Sequence, residues 1–209
     1  MLKTASTLFF LSILLIIFAC APRRIEIPSY EGLDVREVLA VKKNVSDIEA
    51  VFSITFEQED TSVKGEGKAN LSKNGDLDLR VYSFGFLAFE LVARDGIIRS
   101  NPPVDRNKAA ILSYGLRDCL FWWDIDGYTL EQGPDAFLFS NTARKVWIDK
   151  KTMLPLQQII SLADDRELVI TYENPEKING TWHPARIKIQ LSRYSVILVI
   201  RELVFVLSA

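Results

Sequence analysis

Apolar and polar residues alternate with period two over most of this chain, from Ser46 almost to its end. Phe52, Ile54 and Phe56 fall on one side of an extended run, and Ser53, Thr55 and Glu57 on the other. The next run sets Val63, Gly65, Gly67, Ala69 and Leu71 against Lys64, Glu66, Lys68, Asn70 and Ser72. A third sets Leu77, Leu79 and Val81 against Asp78, Arg80 and Tyr82. Such alternation belongs to strands with one dry and one wet face. Asn74-Gly75 and Asp95-Gly96 mark hairpins, because both dipeptides tolerate the positive φ of tight turns. Further strands are predicted at 86–93, 127–131, 137–141, 145–149, 155–162, 168–173, 185–191 and 196–207. A meander of about ten strands without strand-helix-strand alternation predicts a mainly β fold built on one large antiparallel sheet.

A sheet of this size has to curl and cover its apolar face. Two stretches break the period-two pattern and can supply the cover. Residues 33–45 place Leu33, Val35, Val38, Leu39 and Val41 near one side of a short helix, with Asp34 early and Lys42-Lys43 late as the helix dipole favours. In 103–123, Val104, Ala109, Ala110, Ile111, Leu112 and Leu116 suit a second helix, and Leu120-Phe121-Trp122-Trp123 follow. Both are expected to lie as lids over the concave face of an incomplete antiparallel barrel. Gly65, Gly67 and Ala69 leave space on that face that no larger neighbour obviously fills; a bend at a barrel corner is the other reading of such glycines.

The first twenty residues follow different rules. Lys3 precedes an apolar run, 8–18, interrupted only by Ser12, and Ile17-Phe18-Ala19-Cys20 has the apolar, variable, small, Cys order of a bacterial lipobox. The run is shorter than the roughly 20 residues of a bilayer-spanning helix. Residues 1–19 are therefore expected to be a lipoprotein signal peptide, with lipid attachment, palmitate among the acyl groups, at Cys20. Residues 20–32, with Pro22, Arg23, Arg24 and Pro28, suit a tether, and 33–209 a single domain. After Ala21 the first acidic residue is Glu26, so the expected location is the periplasmic side of the outer membrane, lipid-anchored. Acylation of Cys20 would leave Cys119 without an intramolecular partner, and its neighbours suggest a small buried hydrophobe.

The 25 basic and 27 acidic residues nearly balance, which argues against nucleic acid as a partner. His183 is the single histidine, so a multi-histidine metal site is excluded. The chain contains no Gly-rich phosphate loop, Cys-x-x-Cys pair or nucleophile elbow. Asp124 and Asp126 could share a face as an acid/base pair beside Trp123, and a solvated loop explains them as well. No catalytic residue, metal or cofactor is expected.

The acylated cysteine, the short helix feeding a long strand, the Asn-Gly hairpin, the segment Leu79-Arg80-Val81-Tyr82-Ser83-Phe84-Gly85 and the closing Trp182-His183-Pro184-Ala185-Arg186-Ile187 together resemble the LolA/LolB family of lipoprotein carriers and receptors. The resemblance implies an incomplete barrel with a helical lid over an apolar cavity for acyl chains. As a lipoprotein itself, the chain looks nearer to the LolB receptors than to the soluble LolA carriers. It further implies an apolar loop after the third strand that meets membrane or acyl chain; Phe84, Phe86 and Leu87 occupy that place, though Phe84-Gly85-Phe86 stands where the receptors have Pro-Leu-Gly. Alternation fails here, so the segment is either buried on both faces or turned outward at Gly85.

Candidate cavity-lining residues are Phe52, Ile54 and Phe56, then Leu79, Val81 and Phe89. From the later strands come Phe137, Phe139, Val146, Ile148, Leu156, Leu168, Ile170, Ile187 and Ile189. Two non-catalytic functions follow. In the first, the protein accepts acyl chains and aids delivery of lipoprotein or lipid to the outer membrane, its partners being membrane lipid through Cys20, acyl chains of lipoproteins or lipids, and a periplasmic carrier. In the second, the same fold with a filled core serves as a structural or interaction lipoprotein of an envelope complex; a monomer is expected in either case.

Overall fold

In the computed structural model, residues 27–30, 32, 34–163 and 165–208 are described, so the lipobox, Cys20 and Leu33 lie outside the described residues. Helix α1, Val35–Lys42, begins where the Asp34 carboxylate accepts the Arg36 N–H at 2.8 Å. It buries Val35 and Leu39, with Val38 packed beside them. Val41, expected on the same side, is exposed, because the stripe i, i+4, i+7 runs from Val35 through Leu39 to Lys42.

Twelve strands form one antiparallel sheet. They are β1 (Val45–Gln58), β2 (Thr61–Ser72), β3 (Leu77–Ser83), β4 (Phe86–Arg94), β5 (Ile97–Asn101), β6 (Thr129–Gln132), β7 (Ala136–Ser140), β8 (Arg144–Asp149), β9 (Pro155–Ser161), β10 (Glu167–Ile178), β11 (Thr181–Leu191) and β12 (Tyr194–Leu207). Their spatial order is β5-β4-β3-β2-β1-β12-β11-β10-β9-β8-β7-β6, so the sheet is open and its first and last strands pair at the centre, from Val45 with Leu207 to Gln58 with Tyr194. Strand β5 is the one the alternation did not yield: it is a short edge strand whose residues are exposed or half-buried throughout. Strands β10 and β11 run further than expected, through Pro175 and Pro184, which pair with each other. The last β11–β12 pair is Arg186 with Val199, so Pro184 lies beyond the stretch where β11 needs N–H groups for β12.

Topology dictates the lid. Strands β5 and β6 are consecutive in sequence yet sit at opposite edges, so the chain between them has to cross the sheet. It does so as α2 (Arg106–Ala110), a π-helical turn (Ile111–Gly115) and α3 (Leu116–Leu120). At Gly115 the lid presses on the sheet: a Cβ there would stand 2.9 Å from Ile189 Cγ2 and 3.3 Å from Leu168 Cδ1. The covered, concave face is thus the one carrying Phe52, Leu79, Ile170 and Ile189, all buried.

The glycine-lined face is fuller than its side chains suggest. Gly67 faces Phe52 across β1 and β2, and a Cβ on Gly67 would lie 2.2 Å from Phe52 Cε2. The phenyl ring occupies the space the glycine leaves, which corrects the expectation of unfilled room there. At Gly65 the Tyr82 carbonyl oxygen would stand 2.7 Å from an added Cβ, so that glycine serves close backbone approach.

Candidate functional site

An apolar cavity of about 240 Å³ remains where the lid stops short of the sheet. Its walls are Ile54 and Phe56 of β1, Val63 and Gly65 of β2, Val81 of β3, and Ala88 and Phe89 of β4, closed by Pro102, Val104, Lys108 and Leu112 from the lid side. Register explains the grouping: Phe56 pairs with Val63, Ile54 with Gly65, and Val81 with Phe89, so one edge of the concave face converges at this end. Asp105 starts α2 by accepting the Asn107 and Lys108 N–H groups at 2.9 and 3.0 Å, which sets Lys108 facing the cavity. The ammonium of Lys108 stands 5.4 Å from the Phe56 ring centroid and 5.9 Å from that of Tyr194.

The β3–β4 hairpin continues the cavity wall outward. Ser83 pairs with Phe86, leaving Phe84-Gly85 as a two-residue turn with φ of +51° and +81°. Phe84 is 98% exposed, Phe86 78% and Leu87 54%. Of the two readings of this segment, the outward turn at Gly85 is the one the fold adopts. Three successive apolar residues of β4, Leu87, Ala88 and Phe89, lead from this tip into the cavity.

The residues singled out as cavity lining separate into groups. Ile54, Phe56, Val81 and Phe89 line the cavity. Phe52, Leu79, Phe139, Val146, Ile148, Leu168, Ile170, Ile187 and Ile189 are buried in the packed core. Phe137 borders a separate, wide and more polar cleft with Leu130, Met153 and Lys150, whose ammonium lies 5.3 Å from its ring centroid. Leu156 faces solvent because Pro155, not Leu156, takes the inward position of β9. Sequence reasoning missed Lys108; its signal was the Asp-x-x-Lys spacing at the start of the second helix.

Polar groups elsewhere hold the lid. Buried Arg144 of β8 donates to the carbonyls of Asp124 at 2.9 Å, Asp118 at 3.1 Å and Phe121 at 3.2 Å, and to Gln158 Oε1 at 3.0 Å, which also accepts from the Tyr172 hydroxyl. The bond to Asp118 satisfies a carbonyl of the last turn of α3, and the other two tie down the chain that follows it. Arg117 pairs with Asp118 at 2.6 Å and with Asp124, while exposed Asp126 pairs with Lys43 at 2.9 Å. The two aspartates considered as an acid/base pair are therefore engaged by different cations. Cys119 is buried, donates to the Leu116 carbonyl, and has its thiol pKa pushed up by burial. Lys42 places its ammonium 4.8 Å from the Trp123 ring centroid, 5.5 Å from that of Trp122 and 5.8 Å from that of Phe205, and burial lowers its pKa to about 8. Buried His183 uses Nδ1 at the Pro184 carbonyl, and burial lowers its pKa too.

No protein-family model matches the chain, and no curated protein matches it in sequence. In structure it is similar to a DUF1329 family protein from Desulfovibrio piger, with 13% identity and a TM-score of 0.52 over 86% of this chain and 94% of that one. It is also similar to a LolA superfamily protein from Nitrosomonas europaea, with 11% identity and a TM-score of 0.51 over 82% and 93% of the two chains. At these identities the shared property is the fold, an incomplete antiparallel barrel with a helical lid.

Proposed function

We propose that this protein is a non-catalytic, lipid-anchored envelope protein of LolB-like role, which takes acyl chains of lipids or lipoproteins into its apolar cavity and aids their delivery to the outer membrane. The observation that carries this reading is the continuity of the exposed Phe84-Phe86-Leu87 tip with the cavity through Ala88 and Phe89. An apolar tip this exposed marks a contact with membrane or partner. Anchorage through Cys20 would hold the domain close to the bilayer, and acyl chains at about 0.8 kcal/mol per buried methylene would make that attachment stable.

Substituting Phe84→Glu and Phe86→Glu tests the tip. Both side chains are mostly in water, so stability should change by less than about 0.5 kcal/mol, while insertion into liposomes falls sharply. Unimpaired insertion by both variants would refute the membrane contact of the tip. Cys20→Ser should abolish labelling by a fatty-acid analogue and release the protein from membranes; retained labelling would refute the anchor.

The filled centre of the concave face favours a second reading, a scaffold lipoprotein of an envelope complex. It predicts a folded protein that takes up no hydrophobic probe and is instead recovered with a protein partner.

A further inference from the structure

We propose that the cavity selects a single-chain amphiphile with an anionic head, a carboxylate or phosphate, which Lys108 binds at the rim; this rests on the acyl-binding reading above. Volume sets the chain number. About 240 Å³ lies below the roughly 300–1,000 Å³ of ordinary small-molecule sites, enough for part of one chain at a time, whether of a lipid or of a lipoprotein terminus, and too little for several at once.

Charge sets the head group. Two lysines border the cavity, but Lys64 sits opposite Thr55, on the outer-face phase of β2, whereas Phe56 and Val63 hold the inner phase. Lys108 is left as the cation facing inward. Its ammonium stands over Phe56, a wall of the cavity, so a chain lying along that ring would bring its head within reach. The carboxylate beside it, Asp105, is 3.7 Å away, and one of its oxygens is committed to the Asn107 and Lys108 N–H groups. That carboxylate is fixed to the start of the helix and makes a long, half-exposed ion pair, the kind that contributes little and is readily supplemented by a closer acceptor. The remaining Lys108 donors are available to a ligand anion.

The test uses the full chain in phosphatidylcholine nanodiscs with two photoreactive probes, diazirine-bearing lauric acid and the matching lauryl alcohol. Cross-links are mapped to peptides carrying Val81 and Phe89. The acid should label this site about tenfold more than the alcohol, the difference expected for one charge-assisted hydrogen bond. Lys108→Met should erase the preference and Lys108→Arg should keep it, with melting temperatures unchanged. Equal labelling of the site by acid and alcohol would overturn the anion proposal and leave acyl binding standing. No labelling of the site by either probe would overturn both.

Discussion

Phe52 and Phe56 lie on the same face of β1, two pleats apart, and meet different fates. Phe52 is flanked by Gly67 on β2 and Ile200 on β12, fills the room Gly67 leaves, and is sealed in the core. Phe56 faces Val63 and Val196, has its ring 6.0 Å from that of Tyr194, and lines an open cavity. Strand and alternation are shared; the cover differs. The π-helical turn presses on β10 and β11 at Gly115, while near Phe56 the cover is Pro102, Val104, Lys108 and Leu112, with a cavity left between them and the sheet. Whether an inward aromatic becomes core or binding wall is decided by how closely the crossing segment approaches.

Truncating the two rings tests that contrast most strongly. Phe52→Ala should cost about 3–5 kcal/mol, since the ring is fully buried and Gly67 cannot fill the void. Phe56→Ala should cost about 1–2 kcal/mol, as only part of its area leaves water, and should weaken hydrophobic-probe uptake. Urea unfolding read by tryptophan fluorescence gives both numbers. Equal losses would mean that the cavity end is packed as tightly as the centre.

A smaller effect is expected from the polar fastening of the tight end. Arg144→Met removes the donor to the carbonyls of Asp118 and Asp124, and leaves the Phe121 carbonyl with the Asp124 N–H alone and Gln158 Oε1 with the Tyr172 hydroxyl alone. A loss of about 3 kcal/mol follows, at the low end for breaking a buried charged network. Hydrogen exchange should quicken across 106–123 before the sheet opens; protection lost uniformly over the whole protein would show that Arg144 fastens the sheet rather than the lid.

The strands, the dry face and the hairpin at Asp95-Gly96 were legible in the sequence because period-two patterning and turn chemistry act locally. The Asn74-Gly75 hairpin was legible as a turn, but only Gly75 takes a positive φ there, and Asp76 lengthens the loop by accepting the Ser72 N–H. Strand β5 was illegible because an edge strand with neither face fully buried carries little alternation. The site divides the same way. The inward phase of Ile54, Phe56, Val81 and Phe89 could be read, while their separation from Phe52 and Leu79 depends on where the lid lands. Lys108 was overlooked because its Asp-x-x-Lys spacing marks only a helix start and does not tell that the lysine turns toward a cavity. Arg144 was overlooked because most of its partners are backbone carbonyls twenty or more residues away, as with Phe121.

Lys42 gives the finest test of how tightly the closed end is sealed. It lies half-buried on the buried stripe of α1, ringed by Trp122, Trp123 and Phe205, and among the described residues no carboxylate pairs with it. Two forces oppose each other: loss of water disfavours the ammonium, while the ring faces attract it by about 0.5–2 kcal/mol. A pKa lowered from 10.5 to about 8 means that desolvation wins. Below pH 8 the ammonium is charged in both folded and unfolded chains, and its penalty is felt in full. Between pH 8 and 10.5 the unfolded chain holds a proton that the folded one has released, so this contribution to stability rises with pH. Lys42→Met should therefore be more stable than the parent at pH 7, and the gap should close as pH approaches 10.5. Comparing urea midpoints of both proteins across that range cancels every other titrating group. A variant less stable than the parent at pH 7 would show that the three rings outweigh desolvation and that water reaches the ammonium, leaving the end beside α1 looser than the packing around Phe52.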